Sequence, residues 1–165
     1  QTCLVSCIGW KESLLKIRMK GRRKKFEKKL LLRYDAPARE KLKYILGSFL
    51  EDHPNPYKQD FRLKIPGCKY KFLEVQVCAA WTNIKYPHPS LHLYERKGRY
   101  GTNTLFLTLS QNLLRGYLFA LPEDKTTLDL VRRAKRSREF VYVIPWNLAL
   151  PVCTNYLDEE TFLWY

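Results

Sequence analysis

The sequence predicts an α+β domain with a mixed central sheet flanked by helices. Three observations carry that prediction. Apolar and polar residues alternate over 61–65 and 73–77, the period of two that marks a half-buried strand. Residues 35–52 instead space their apolar side chains at the period of a helix. Further strand-like runs follow, "TLFLTLS", "GYLFAL" and "EFVYVIPW", with a basic helical segment "LDLVRRAKRSR" before the last. Helix, hairpin, strands, helix and strand in that order suit a layered domain, and the period-two runs exclude an all-helical one. At 165 residues and 45% hydrophobic content, the chain is long enough for one core, so a single domain over 1–165 is expected.

The elements follow in chain order. Residues 1–9 are apolar and hold Cys3 and Cys7. From 11 to 34 the chain is a basic arm or helix, because Lys, Arg, Leu and Glu all favour helix and "GRRKKFEKK" has almost no compensating acid. In "DAPAREKLKYILGSFLED", Asp35 or Ala36 starts a helix and Pro37 suits its first turn. Leu42, Ile45, Leu46, Phe49 and Leu50 then form one buried stripe. "HPNPY" breaks that helix. The stretch "AAWTNIKYPHPSLHLYERKGRYGTN" reads as a loop or second hairpin, and "NLALPVCTNYLDEETFLWY" as a turn with a short helix or tail. The core is assigned to 38–150.

The hairpin holds the chemistry. Strands in "QDFRLKIPGCKYKFLEVQV" fold about Pro66-Gly67, with Asp60 seven residues before Gly67 and Glu74 seven after. The two carboxylates therefore face each other, on the same side as Gln76, while Phe61, Leu63, Ile65, Leu73, Val75 and Val77 take the other face. Like charges directly opposite on neighbouring strands are destabilising, so something must offset them. A divalent cation is one candidate: Mg²⁺ prefers carboxylate oxygen and bridges to phosphate. Gln76, two residues on, is placed to position an attacking water.

An Asp on one strand, then an acidic residue and a third functional residue separated by one position on the next, all after an amphipathic helix, resembles the core of the PD-(D/E)XK nuclease superfamily. Here the pattern is Asp60 followed by Glu74-Val75-Gln76. The resemblance covers about residues 38–109, with the strand after them. It implies a restriction-endonuclease-like α-β-β-β-α-β core, Mg²⁺ or Mn²⁺ dependence and phosphodiester hydrolysis, with Asp60 and Glu74 as metal ligands and Gln76 beside them. Gln59 stands where the motif has Pro, and Gln76 where it usually has Lys. Lys71, Arg96 and Lys97 are the nearby cations able to supply the missing charge. The chain also resembles, more distantly, small proteins of large DNA viruses.

Thirty Lys plus Arg against sixteen Asp plus Glu give a formal charge of +14. Such a surplus points to a polyanionic partner, nucleic acid and DNA first, ahead of an anionic membrane surface. Arg22, Arg23, Lys24 and Lys25 are the expected phosphate contacts of the arm, with Arg132, Arg133 and Lys135 in the second basic segment. In "YERKGRYG", Arg96, Lys97 and Arg99 beside Tyr94 and Tyr100 read as a basic hairpin tip suited to phosphate and to unpaired bases. Two further functions fit the same residues: a catalytically inactive nuclease-like DNA-binding or virion structural protein, and an RNA-binding module using the aromatic-basic loop. Pro87 and Pro89 argue against a helical His88/His92 zinc pair, and no phosphate-cradling glycine loop supports an NTPase. Five scattered cysteines, no bilayer-length apolar run and no leader pattern predict an intracellular protein in a reducing compartment, nucleus or virion.

If both basic stretches lie on phosphates, affinity for DNA falls by orders of magnitude between low and physiological salt, because each neutralised phosphate releases condensed counterions. Neutralising Arg22, Arg23, Lys24 and Lys25 should weaken binding to all sequences alike and flatten the plot of log affinity against log salt. An arm variant with the parent's slope, measured by fluorescence anisotropy, would make the run a solvated face only.

Overall fold

Pro37 and Gly47 bracket the first helix. The computed structural model describes residues 28–135 and 138–165. Backbone is α-helical over Lys28–Leu30, winds as a π-helical turn over Leu31–Asp35, and continues as helix α1, Ala36–Leu46. Pro37 lies in the first turn of α1, directly after the π-helical turn, and its missing N–H coincides with that change of winding. Ala38, Leu42 and Leu46 repeat every four residues and are buried. The expected stripe continues through Phe49 and Leu50, but the helix does not. Gly47 takes φ 53° and ψ −124°, which only glycine adopts cheaply, and a single 3₁₀ turn, Gly47–Phe49, leads into strand β1, Leu50–Asp52. Leu50 is buried as a strand residue instead.

Strands β2, Phe61–Leu63, and β3, Phe72–Cys78, form the predicted hairpin. Cys68 N–H donates to the Ile65 carbonyl at 3.1 Å, and Gly67 has φ 79°; Pro then Gly at the two central positions makes this a type II turn. Phe61 pairs with Leu73 and Arg62 with Phe72, a register symmetric about Gly67. That symmetry brings Asp60 to Glu74.

The chain continues through β4, Leu91–Tyr94, a 3₁₀ turn over Glu95–Tyr100, and β5, Thr104–Ser110. Then come β6, Arg115–Ala120, β7, Leu130–Arg132, β8, Phe140–Ile144, and β9, Ala149–Cys153. A short helix α2, Glu159–Trp164, closes the chain, capped by Asp158, which accepts from Thr161 N–H at 3.0 Å. Six strands make a mixed sheet in the order β1-β2-β3-β5-β6-β9, with β3 and β5 parallel and every other pair antiparallel. Strands β4-β8-β7 make a separate antiparallel sheet.

Every residue of β5 is buried, because both faces of the large sheet are covered. Leu105, Leu107 and Leu109 join Leu73 and Val75 under Ala38, Leu42 and Leu46 of α1, with Leu157 and Phe162 beside them. Phe106 and Phe119 on the other face pack against Leu91, Leu93 and Ile144 of the small sheet. The sheet is therefore not flanked by helices on its two faces: one face carries helix, the other a second sheet. The expected helix at "LDLVRRAKRSR" is the reason. Leu130–Arg132 is instead strand β7, paired with β8 from Leu130↔Tyr142 to Arg132↔Phe140. That segment has no apolar stripe at helical spacing, and ladder pairing satisfies its backbone groups where a solvated basic helix would bury nothing. Edge strand β9, with Pro151 at its centre, lies in a stretch the sequence reading assigned to a turn and tail.

No helix among the described residues is long and apolar enough to cross a membrane. Cys68, Cys78 and Cys153 are free thiols, and burial pushes the Cys78 thiol above its ordinary value.

Nothing lies within 4 Å of the position a Cβ would take at Gly47, so a side chain there meets backbone strain and no clash. Gly47→Ala should cost about 1–2 kcal/mol of stability, read as a lower denaturant midpoint with unchanged slope. A variant as stable as the parent would show that the turn relaxes to a right-handed conformation.

Candidate functional site

Asp60 ends the loop before β2, and Glu74 is the third residue of β3. Each carboxylate is anchored by the opposite strand's backbone. Asp60 N–H donates to Glu74 Oε2 at 3.1 Å, and Val75 N–H donates to Asp60 Oδ2 at 2.9 Å. The remaining oxygens take cations from two other elements. Arg39 of α1 reaches Asp60 Oδ1 through Nη1 at 2.6 Å and Asp52 Oδ1 through Nη2 at 2.9 Å, its guanidinium 4.7 Å from the centre of the Phe61 ring. Lys97 Nζ lies 2.8 Å from Glu74 Oε1, and the two side chains are only 12% and 8% exposed.

Lys97 owes its position to the turn after β4. "YERKGRY" is a 3₁₀ segment and not a hairpin tip, so its side chains radiate in several directions. Gly98 lies so close to β8 that a Cβ would meet the Tyr142 ring at 2.8 Å. With no side chain there, the turn sits down on β8 and Lys97 points inward to Glu74, not outward to solvent.

The charges are closely matched. Burial pushes Glu74 above the ordinary carboxylate range; Lys97 opposes that shift and the Asp60 charge adds to it. Asp35, at the solvent edge of the same cluster, is also raised, by desolvation first. Lys97, Arg39 and Arg96 act to lower it and Asp60 to raise it. Asp35 thus feels the charges of the cluster from its exposed position. It was legible in the sequence only as a helix-starting residue, yet it makes no capping hydrogen bond because helical backbone already runs through it.

Gln76 stands apart. Its Nε2 donates to the His92 carbonyl at 3.0 Å and to Thr108 Oγ1 at 2.7 Å, stitching β3 to β4 and β5. Among the described residues its buried Oε1 has no hydrogen-bond partner. The cation beside Glu74 is therefore Lys97, arriving from the crossover rather than from β3. Lys97 is one of the three cations named from the sequence with Lys71 and Arg96; the parallel pairing of β3 with β5, which brings the intervening turn over the sheet, accounts for its being the one beside Glu74.

The other basic residues are spread out. Arg96 and Arg133 both lie over the Tyr94 ring, at 4.9 and 5.4 Å from its centre, and Arg133 pairs with Glu139 at 3.0 Å. Arg132 lies 5.7 Å from the Phe140 ring centre, while Lys135 is exposed beyond β7. Exposed Arg99 stacks on Tyr100 at 5.2 Å. Arg22, Arg23, Lys24 and Lys25 lie outside the described residues, as do Cys3 and Cys7. Among the described residues no three His, Cys, Asp or Glu side chains are grouped closely enough to hold a metal unaided. Comparison with protein-family models, curated proteins and solved structures finds no match to this chain.

Breaking a buried ion pair leaves an uncompensated charge, whereas removing both partners is close to neutral. Lys97→Met should cost about 3–5 kcal/mol near pH 7, and the double variant Lys97→Met/Glu74→Gln should recover most of it. The sign with pH is fixed by the raised Glu74 carboxyl, which favours the protonated folded state. Its contribution is full below the unfolded value of 4.5 and is lost as pH rises through the folded one. Without Lys97 that loss deepens. Urea unfolding should therefore show the gap between parent and Lys97→Met widening from pH 4 to pH 7, and a gap independent of pH would overturn the assignment.

Proposed function

We propose that this chain is a nucleic-acid-binding protein with a divalent-metal-dependent phosphodiesterase site, acting on DNA, built on a restriction-endonuclease-like core. One observation carries the reading: two interlocked carboxylates, Asp60 and Glu74, sit on adjacent strands with the ammonium of Lys97 buried 2.8 Å from one of them. The element order lends support. Helix α1, three antiparallel strands and a fourth strand parallel to the third follow the implied core, with β4 and its 3₁₀ turn where that core has a helix.

The donor set suits Mg²⁺ or Mn²⁺. Both are hard ions that take carboxylate oxygen. Each oxygen of Asp60 and Glu74 accepts one bond in the structure, and a carboxylate oxygen has two lone pairs. Desolvation, the first cause of the raised Glu74 carboxyl, would make a cation held there interact strongly with it. Asp60 and Glu74 would hold the ion. Such an ion polarises a phosphate and acidifies water bound to it.

The chain's own residues divide the remaining work. Arg39 and Val75 N–H fix the Asp60 carboxylate from two sides. Lys97, held against Glu74, would supply the positive charge that stabilises a phosphate oxygen beside it. Gln76 holds β3 against β4 through Nε2, and its Oε1, unpartnered among the described residues, would be the group that orients an attacking water.

A second reading is favoured by the same pairs. Arg39 and Lys97 already neutralise the two carboxylates, as they would in a protein that kept the fold and only binds, a DNA-binding or virion structural protein. Incubation with plasmid, single-stranded DNA and RNA, with Mn²⁺ or with chelator, separates the two. Asp60→Asn and Glu74→Gln should abolish metal-dependent cleavage, with DNA affinity unchanged or higher because negative charge near phosphate is gone. Cleavage that persists in both purified variants would locate the chemistry elsewhere.

A further inference from the structure

An open groove of about 560 Å³ lies beside the carboxylate cluster. It falls within the size range of small-ligand sites, about 300–1,000 Å³. Its walls are flat. His53 stacks on Phe72 with ring centres 5.5 Å apart, Tyr100 forms another wall, and the Tyr57 side chain stands 83% exposed at the mouth. Lys58 and Arg99 supply positive charge, and among the described residues no acidic side chain lines the groove. Gln59, whose Nε2 donates to Thr104 Oγ1 at 3.0 Å, and exposed Asn103 complete the lining.

The groove is tied to the site. Gln59 adjoins Asp60, and His53 N–H donates to the Asp60 carbonyl at 3.1 Å. Arg99 Nη2 and Tyr100 Oη reach the Tyr57 and Lys58 carbonyls, bracing the loop that carries the exposed ring. Tyr57's own ordering is by backbone, its N–H donating to Asn55 Oδ1 at 2.9 Å.

From this we infer that the groove receives an unpaired nucleotide of a single-stranded segment. Its base stacks among Tyr57, Tyr100 and the His53–Phe72 pair, and its phosphates face Lys58 and Arg99. Ring faces and guanidinium planes accept any base, because every base has a π-face. A base inside a duplex is already stacked on both sides and cannot enter. An acidic peptide would use the cations but leave the rings without a flat partner. The inference rests on a nucleic-acid partner, not on cleavage, and it makes the protein a single-strand or junction binder rather than a duplex binder.

Binding measured in chelator isolates the groove from catalysis. The probes are a 12-nucleotide single-stranded DNA containing 2-aminopurine, the same sequence as a duplex, and salt held constant. Tyr57→Ala should lower single-strand affinity by about 5- to 150-fold, the usual effect of deleting one stacking ring. Duplex affinity should change less than twofold, and the quenching of 2-aminopurine on binding should be lost. Tyr44→Ala, removing a ring 90% exposed on α1, is the control and should change nothing. Tight duplex binding equal to that of the single strand, or a Tyr57→Ala protein that still quenches the probe, would overturn the inference. So would failure to bind either DNA. Loss of quenching without any metal-dependent cleavage by the parent protein would uphold the groove while removing the phosphodiesterase.

Discussion

Two carboxylates on adjacent strands cannot stay charged together without positive charge beside them, and that requirement organises the centre of this molecule. Arg39 answers it from the helix side and Lys97 from the crossover side. Each answer constrains a whole element. Helix α1 must dock so that Arg39 reaches both Asp60 and Asp52, and the turn after β4 must sit down on β8, which a glycine at 98 permits. The two sheets and the helix thus meet at one electrostatic point, although their apolar contacts lie in two separate clusters. Net burial drives the layers together; the ion pairs fix how they are aligned.

The hairpin was legible because its turn chemistry and its side-chain period agree. Pro-Gly fixes the centre, the period of two fixes the face, and together they fix Asp60 against Glu74 before any long-range contact is known. Strand β5 was legible for a related reason: seven residues of apolar and β-branched character, with no charge, read as a doubly covered strand. The misreadings share a cause. Basic segments such as Leu130–Arg132 carry helical propensity, and propensity is a weak prior that pairing with a partner strand overrides. At Gly47 the apolar spacing continued through the point where backbone conformation changes, so the stripe was right in content and wrong in geometry.

The site was half legible. Asp60 and Glu74 are near in sequence terms, being symmetric about one turn. Lys97, named from the sequence only as one of three candidate cations, is not, since it reaches the cluster through the parallel β3–β5 pairing. Spacing along a chain reports local partners well and crossover partners poorly. Gln76 illustrates the converse: its position was correctly placed on the face, while its hydrogen-bond partners, His92 and Thr108, come from strands that the hairpin alone does not reveal.

The rims of the large sheet also have a bearing on how the protein meets other molecules. Strand β1 is three residues long, and its Glu51 and Asp52 are held by Lys64, Lys43 and Arg39. Strand β9 carries Pro151, which has no N–H to offer a further strand. Short length, charge and proline are the devices that blunt an open edge. Neither border of the large sheet is a ready template for another chain, so this highly basic protein is guarded there against edge-to-edge stacking.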